Sequence, residues 1–278
     1  MKTYIKIIQD ALREDVGKGD ITTSAIVPKK IKAQAVFIAK EDGVLAGLDI
    51  AKQVFLQLDK KIKVISKKKD GDEVKKGEIF GTVFGAASTI ITGERVALNF
   101  LQHLSGIATL TRKYVDRVKG SKGHRAIVLD TRKTVPGMRE LEKYAVKMGG
   151  GTNHRMGLYD AILIKDNHIK VAGGIGEGIE RMRREKKGSV GIEVETKNLE
   201  EVKEAIGLKV KRILLDNMDV KTMREAVKLC KAAGIETEAS GGINLDNIAN
   251  VAKTGVDYIS VGALTHSAKA LDISLKVV

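Results

Sequence analysis

Apolar and polar residues follow two different rhythms along this chain. From about residue 124 short apolar runs alternate with longer amphipathic segments. HRAIVLD (124–130), AILI (161–164), VGIEVE (190–195), RILLD (212–216), IETEA (235–239) and DYISV (257–261) are short and rich in β-branched residues, so they predict strands. Between them MRELEKYAVKMG, IGEGIERMRREKK, NLEEVKEAI, VKTMREAVKLCKAAG and NLDNIANVAKTG space apolar residues three and four apart, which predicts helices. A strand–helix alternation of this kind predicts a parallel sheet, with the β-branched runs buried on both faces. Units of 21 to 35 residues repeated this often favour a barrel over an open sheet.

The first part of the chain reads differently. AQAVFIAKEDGVLAG and KVISKKKDGDEVKKGEIFGTVFG alternate over short stretches and are punctuated by Gly and Asp turns. DGDEVKKGE is read as a plain tight turn. Residues 88–120 carry helical spacing, with Gly106 expected to break the helix. The domain boundary is placed near residue 108 on this connector. LDISLKVV at the C-terminus is strand-like and expected to return, so the expected domains are 1–108 joined by 270–278, and 109–269.

Composition narrows the function classes. The 278 residues have ample room for a core, and 43% hydrophobic with 30% charged residues fits a globular protein. No apolar run approaches the roughly 20 residues of a membrane span. The amphipathic start MKTYIKIIQDALRED lacks a secretory core. The lone Cys230 cannot form an internal disulfide, which suits a reducing cytoplasm; it falls in a helical pattern, as a buried small residue would. The net charge of +14 suits nucleic acid or small phosphorylated or carboxylated substrates. Aromatic residues make up only 4%, few for stacking on single strands. The basic stretches 60–70 and 181–187 read as solvated surfaces.

The chemistry gathers at the strand ends. In order these are Asp130 followed by Thr131, Arg132 and Lys133; then Lys165, Glu195, Asp216, Ser240 with Gly241 and Gly242, and Gly262. In a (β/α) barrel that rim is the active face. Arg132, Lys133, His154, Arg155 and Lys165, with Arg95 on the connector, would form a cationic mouth that needs an anionic ligand. Glu195 and Asp216 suit a divalent cation, partly through water, or ribose hydroxyls, or pairing with the cations. The turns ASGGI (239–243) and SVGAL (260–264) suit a phosphate. Lys165 admits a Schiff-base role, but Asp166 and the surrounding cations favour anion binding. His154 fits an anion donor or an acid–base group. His168 and His103 admit structural roles.

GERVALNFLQHLSGIAT, LDTRKTVPGMRELEKYAV, GGGTNHRMGLYDAILIKDNHI, EVETKNL, ILLDNM, EASGGI and ISVGALTHS occur in this order. From about residue 10 to 272 the chain resembles the quinolinate phosphoribosyltransferases. That resemblance implies an N-terminal α/β sandwich and an open, seven-stranded α/β barrel of TIM type. It implies phosphoribosyl transfer from 5-phosphoribosyl-1-pyrophosphate to quinolinate with decarboxylation, in NAD biosynthesis, using Mg²⁺. It implies a homodimer or a hexamer of dimers, and neither nucleic acid nor membrane as partner. By the same resemblance Arg95, Arg132, His154, Arg155 and Lys165 contact quinolinate carboxylates and pyrophosphate oxygens, and Lys133 sits at the phosphoribosyl donor. Lys133, Lys165, Glu195 and Asp216 are the expected catalytic residues, and Glu195 with Asp216 the expected metal ligands. Thr131 and the turns with Ser240, Gly241, Gly242, Val261, Gly262 and Ala263 hold the substrate. Where the family often has Arg before the EDG turn, reaching into the partner's site, this chain has Lys40. Rival expectations are a fold-sharing paralogue family associated with molybdenum transport and a nucleic-acid-binding protein.

Overall fold

The computed structural model describes residues 3–28, 30–120, 126–185 and 191–278. In chain order the first elements are α1 (Thr3–Val16), α2 (Ile21–Ile26), β1 (Lys32–Ala39), β2 (Gly43–Val44), α3 (Leu48–Leu58), β3 (Lys63–Ser66), β4 (Glu73–Val74), β5 (Ile79–Ala86) and α4 (Ala87–Lys119). The strand–helix series follows: β6 (Ile127–Leu129), α5 (Arg139–Met148), β7 (Ile162–Ile164), α6 (Asp166–Ala172), α7 (Ile175–Glu185), β8 (Ile192–Thr196), α8 (Leu199–Gly207), β9 (Arg212–Asp216), α9 (Val220–Ala232), β10 (Glu236–Ser240), α10 (Ile248–Ala252), β11 (Tyr258–Ser260) and α11 (Ala263–His266). The last element is β12 (Ile273–Val277).

The chain divides into two compact units. The first comprises Met1–Arg112, Thr134–Gly150 and Ser267–Val278; the second Lys113–Lys133 and Gly151–His266. The division thus falls a turn beyond the expected residue 108, within α4, and the first unit also takes the segment carrying α5.

In the first unit β12, β1, β5 and β3 form an antiparallel sheet in that order. Its strands bury Ala35, Phe37, Phe80 and Val83, and Phe37 stacks on Phe80 with centroids 5.7 Å apart. Helix α1 packs on α3. The connector helix differs from expectation: α4 runs unbroken through Gly106. A Cβ there would lie 2.1 Å from the Lys269 carbonyl oxygen, so the glycine serves close approach of two backbones rather than a helix break.

In the second unit six parallel strands lie in the order β6–β11–β10–β9–β8–β7. A seventh position is a single parallel bridge, Leu129 to Thr152, on the far side of β6. Among the described residues the sheet therefore ends at β7 on one side and at Thr152 on the other. This is the open barrel-like α/β arrangement. Residues 124, 125 and 190 of the expected strands, and 186–187 of the second basic stretch, lie outside the described residues.

One expectation about the strands changes. They are buried on both faces, but not apolar on both. In β8 Ile192 and Val194 alternate with Glu193 and Glu195, and in β10 Thr237 and Ala239 alternate with Glu236, Glu238 and Ser240. Side chains of alternate residues point to opposite faces. The glutamates therefore share the inner face, and the barrel is filled partly by charge.

Candidate active site

The inner-face residues nearest the strand C-termini surround a cavity of about 690 Å³ in the second unit. Thr131, Arg132 and Lys133 follow β6, Lys165 follows β7, Glu195 belongs to β8, Asp216 ends β9, and Ser240, Gly241 and Gly242 lie at the end of β10. Gly262 and Ala263 follow β11, and His154 and Arg155 rise from the Thr152 bridge.

The turn after β6 is held locally. The Thr131 hydroxyl accepts from the Lys133 amide at 3.1 Å, and the Thr265 hydroxyl donates to the Lys133 carbonyl at 2.7 Å. A Cβ on Gly262 would meet Lys133 Cδ at 2.9 Å and His266 Nε2 at 3.2 Å, so both side chains converge on that glycine. Arg155 is buried and its Nη1 donates to the Ala161 carbonyl at 3.1 Å. Burial, and then the charge of Arg132, press its guanidinium pKa downward.

The acidic side faces these cations. Burial, and then the charge of Asp216, push the Glu195 carboxyl above its ordinary value. Asp216 accepts from the Asn217 side-chain amide at 2.9 Å, and the Asn217 backbone amide donates to the Ser240 carbonyl at 2.9 Å. Asn217 itself has a left-handed backbone, φ 54°. Gly241, at φ +92°, would place a Cβ 2.2 Å from Asn217 Oδ1, so only glycine fits beside that amide. Asn247 Nδ2 donates to the Gly242 carbonyl at 2.9 Å and braces the same turn.

Several expected residues sit elsewhere. Val261 is 1% exposed and does not line the cavity; its amide donates to the Leu129 carbonyl and continues the sheet. Arg95 on α4 and Lys40 after β1 are exposed residues of the first unit, outside the cavity lining. His154 lines the cavity, yet its Nε2 faces inward, 3.3 Å from Glu193 and 3.5 Å from Glu238. Burial works against a charged ring there, but hydrogen bonds with the two carboxylates outweigh it and lift its pKa to about 9. His168 Nδ1 accepts from the Lys165 amide at 3.0 Å, a structural role at the start of α6. His103 Nε2 lies 2.9 Å from the buried Glu142 in the first unit. Cys230 is buried, and burial followed by the charge of Asp257 pushes its thiol to about 11.

Sequence reasoning missed Glu193, Glu238, Asn217, Ser260 and His266. The signal for the glutamates was present: Glu on every second residue of a strand in a parallel sheet marks one face as polar. His266 lies one helical turn past Gly262, where α11 brings it back over the glycine.

Two family models match the chain, the quinolinate phosphoribosyl transferase N-terminal domain over residues 20–105 and its C-terminal domain over residues 107–276. The chain belongs to the quinolinate phosphoribosyl transferase family. It is 47% identical over 290 residues to a chloroplastic nicotinate-nucleotide pyrophosphorylase [carboxylating] of Oryza sativa, covering 98% of this chain and 76% of the relative. It is 46% identical to the probable nicotinate-nucleotide pyrophosphorylase [carboxylating] of Bacillus subtilis, covering 98% of this chain and 92% of the other. Among solved structures, NadC of Streptococcus pyogenes superposes with a TM-score of 0.94 at 41% identity, covering 99% of this chain and 96% of that one. The described helices of this family member include none long and apolar enough to cross a membrane.

Proposed function

We propose that this chain transfers a phosphoribosyl group from 5-phosphoribosyl-1-pyrophosphate to quinolinate and decarboxylates the product, giving nicotinate mononucleotide, pyrophosphate and CO₂. The observation that carries this is the division of charge within one cavity: Arg132, Lys133, Arg155 and Lys165 on one side, Glu195 and Asp216 on neighbouring strands, and glycine turns after β10 and β11. An acceptor with two carboxylates meets the cations. The glycine turns offer backbone N–H groups to a terminal phosphate. As pyrophosphate leaves, positive charge builds on the ribose beside Glu195 and Asp216, which stabilise it, while Lys133 and Arg132 hold the departing anion. The ring nitrogen, once quaternised, is the electron sink that lets the adjacent carboxylate leave as CO₂, and the carbanion left on that ring carbon takes a proton from solvent.

Two carboxylates on neighbouring strands, Glu195 pushed upward by burial and then by the charge of Asp216, mark a local excess of negative charge. That donor set fits Mg²⁺, and Glu195 and Asp216 would hold it directly or through water. The bound ion would supply charge neutralisation to the pyrophosphate oxygens. The proposal includes a homodimer as the smallest active assembly, with Lys40 reaching a partner's site, and a reducing cytoplasmic setting.

The test is to mix purified protein with quinolinate, phosphoribosyl pyrophosphate and Mg²⁺ and follow nicotinate mononucleotide and CO₂. Product dependent on all three is expected. No product from folded, at least dimeric protein would overturn the assignment.

A further inference from the structure

Below the mouth, the barrel interior holds a charged cluster that the transfer chemistry leaves unused. Glu193 on β8 and Glu238 on β10 are 7% and 0% exposed. Two carboxylates at that depth are costly unless each is paired or neutralised. They are not treated alike. Glu238 receives the Ser260 hydroxyl at 2.5 Å, Arg212 Nη1 at 3.3 Å and His154 Nε2 at 3.5 Å. Arg212 is itself anchored by Glu236 at 3.0 Å and lies over the Tyr258 ring, 3.7 Å from its centroid. Glu193 meets His154 at 3.3 Å, and its other oxygen, Oε1, is buried without a hydrogen-bond partner among the described residues. The better-paired negative charge is therefore that of Glu238. Burial is outweighed there by hydrogen bonds from His154 and Ser260, which hold its carboxyl down.

His154 is held through its backbone and both ring nitrogens. Its backbone amide donates to Asp130 at 2.8 Å, its Nδ1 accepts from the Arg155 amide at 2.7 Å, and its Nε2 meets the carboxylates. With Nδ1 accepting, the ring carries one proton, on Nε2. A second proton has one place to go, Nδ1, and taking it turns that nitrogen from acceptor to donor.

We propose that Glu238 is a positioning residue for quinolinate: it fixes His154 through Nε2 and supplies the buried negative charge that lets Nδ1 hold a second proton, giving up the bond from the Arg155 amide, and donate it to a substrate carboxylate as a hydrogen bond. This rests on the reading of the cavity as the quinolinate site. No covalent bond forms. The charged groups around the ring and its cavity are Asp130, which accepts from the His154 amide, Glu193 and Glu238 at Nε2, Arg212 on Glu238, and the lining residues Arg132, Lys133, Arg155, Lys165, Glu195, Asp216 and His266. Removing the charge of Glu238 takes a negative charge from beside the ring, and His154 then holds its second proton less tightly.

The test combines ¹⁵N-imidazole NMR titration of His154 with the quinolinate KM across pH 6 to 9.5, in wild type and Glu238→Gln. The chain has five histidines, and loss of one signal in His154→Gln assigns the resonance. The expected wild type titrates near 9 with a flat KM below that pH. Glu238→Gln is expected to titrate near or below the ordinary 6.5, with KM raised on the order of 10- to 100-fold at pH 8.5, partly restored at pH 6, and the phosphoribosyl pyrophosphate KM little changed. Glu193→Gln alters the less fully bonded of the two carboxylates and is expected to shift the titration less. Should Glu238→Gln not fold, Ser260→Ala removes one bond to Glu238 and is expected to shift both readouts in the same direction by a smaller amount. A His154 titration unmoved in these variants, or a KM loss equal at every pH and for both substrates, would overturn the proposal. A moved titration with an unmoved quinolinate KM also overturns it, while wild-type turnover shows that the assignment of the reaction stands.

Discussion

His154 shows how one residue acquires opposite pulls. Burial disfavours its charge, and the carboxylates of Glu193 and Glu238 favour it more, so its pKa rises to about 9. A histidine that binds its proton more tightly when folded stabilises the fold fully below its unfolded value of about 6.5, and that contribution is lost as pH rises through about 9. Thermal melts of wild type and His154→Asn should therefore differ most near pH 6 and converge by pH 9.5; a constant difference would show that the ring contributes packing alone. Arg132 lines the cavity, and Arg132→Ala is expected to cut turnover at least 100-fold while the melting temperature stays within a few degrees, the loss of a transition-state anion contact. Near-normal turnover would remove Arg132 from the site. Most residues of this rim were legible from the sequence, because a polar residue closing a short apolar run stands out. Glu193 and Glu238 were not, because they lie inside runs read as uniformly buried, and a glutamate's partner cannot be seen along the chain.

At the scale of elements, pattern was a good guide to type and a poorer one to purpose. RILLD predicted β9 to the residue, since both strand ends carry charge. Gly106 predicted a break and found an intact helix. Its reason is a backbone packed 2.1 Å from where a Cβ would stand, which no local propensity contains. Gly106→Ala, favourable by helix propensity, is thus expected to destabilise by about 1 kcal/mol or more, read from denaturant melts; stabilisation would disprove the close approach. The α9 cap is the ordinary case. Asp219 accepts from the Lys221 and Thr222 amides at 2.8 and 3.0 Å, so Asp219→Ala should cost about 1 kcal/mol without changing KM.

For the whole molecule, the net charge of +14 tempts a nucleic-acid reading, but cations such as Arg132, Lys133, Arg155 and Lys165 converge on a concave site rather than a stripe. Binding to a random duplex is accordingly expected to vanish at physiological salt in a gel-shift, whereas retention there would reopen that function. Chelation of divalent cations should abolish turnover and Mg²⁺ should restore it; activity indifferent to chelator would refute the metal role of Glu195 and Asp216. The sequence by itself determined the alternation of strands and helices, the parallel sheet and the polar rim, because each is written in hydrophobic periodicity within one element. Only the tertiary structure decided that β12 joins β1 at the edge of the first sheet, that the seventh barrel position shrinks to a bridge at Thr152, and that Glu238 lies beneath His154. These depend on which strands become neighbours. That choice is made by packing and by pairing of buried charge between residues far apart in the chain, His154 and Glu238 among them, and no local pattern records it.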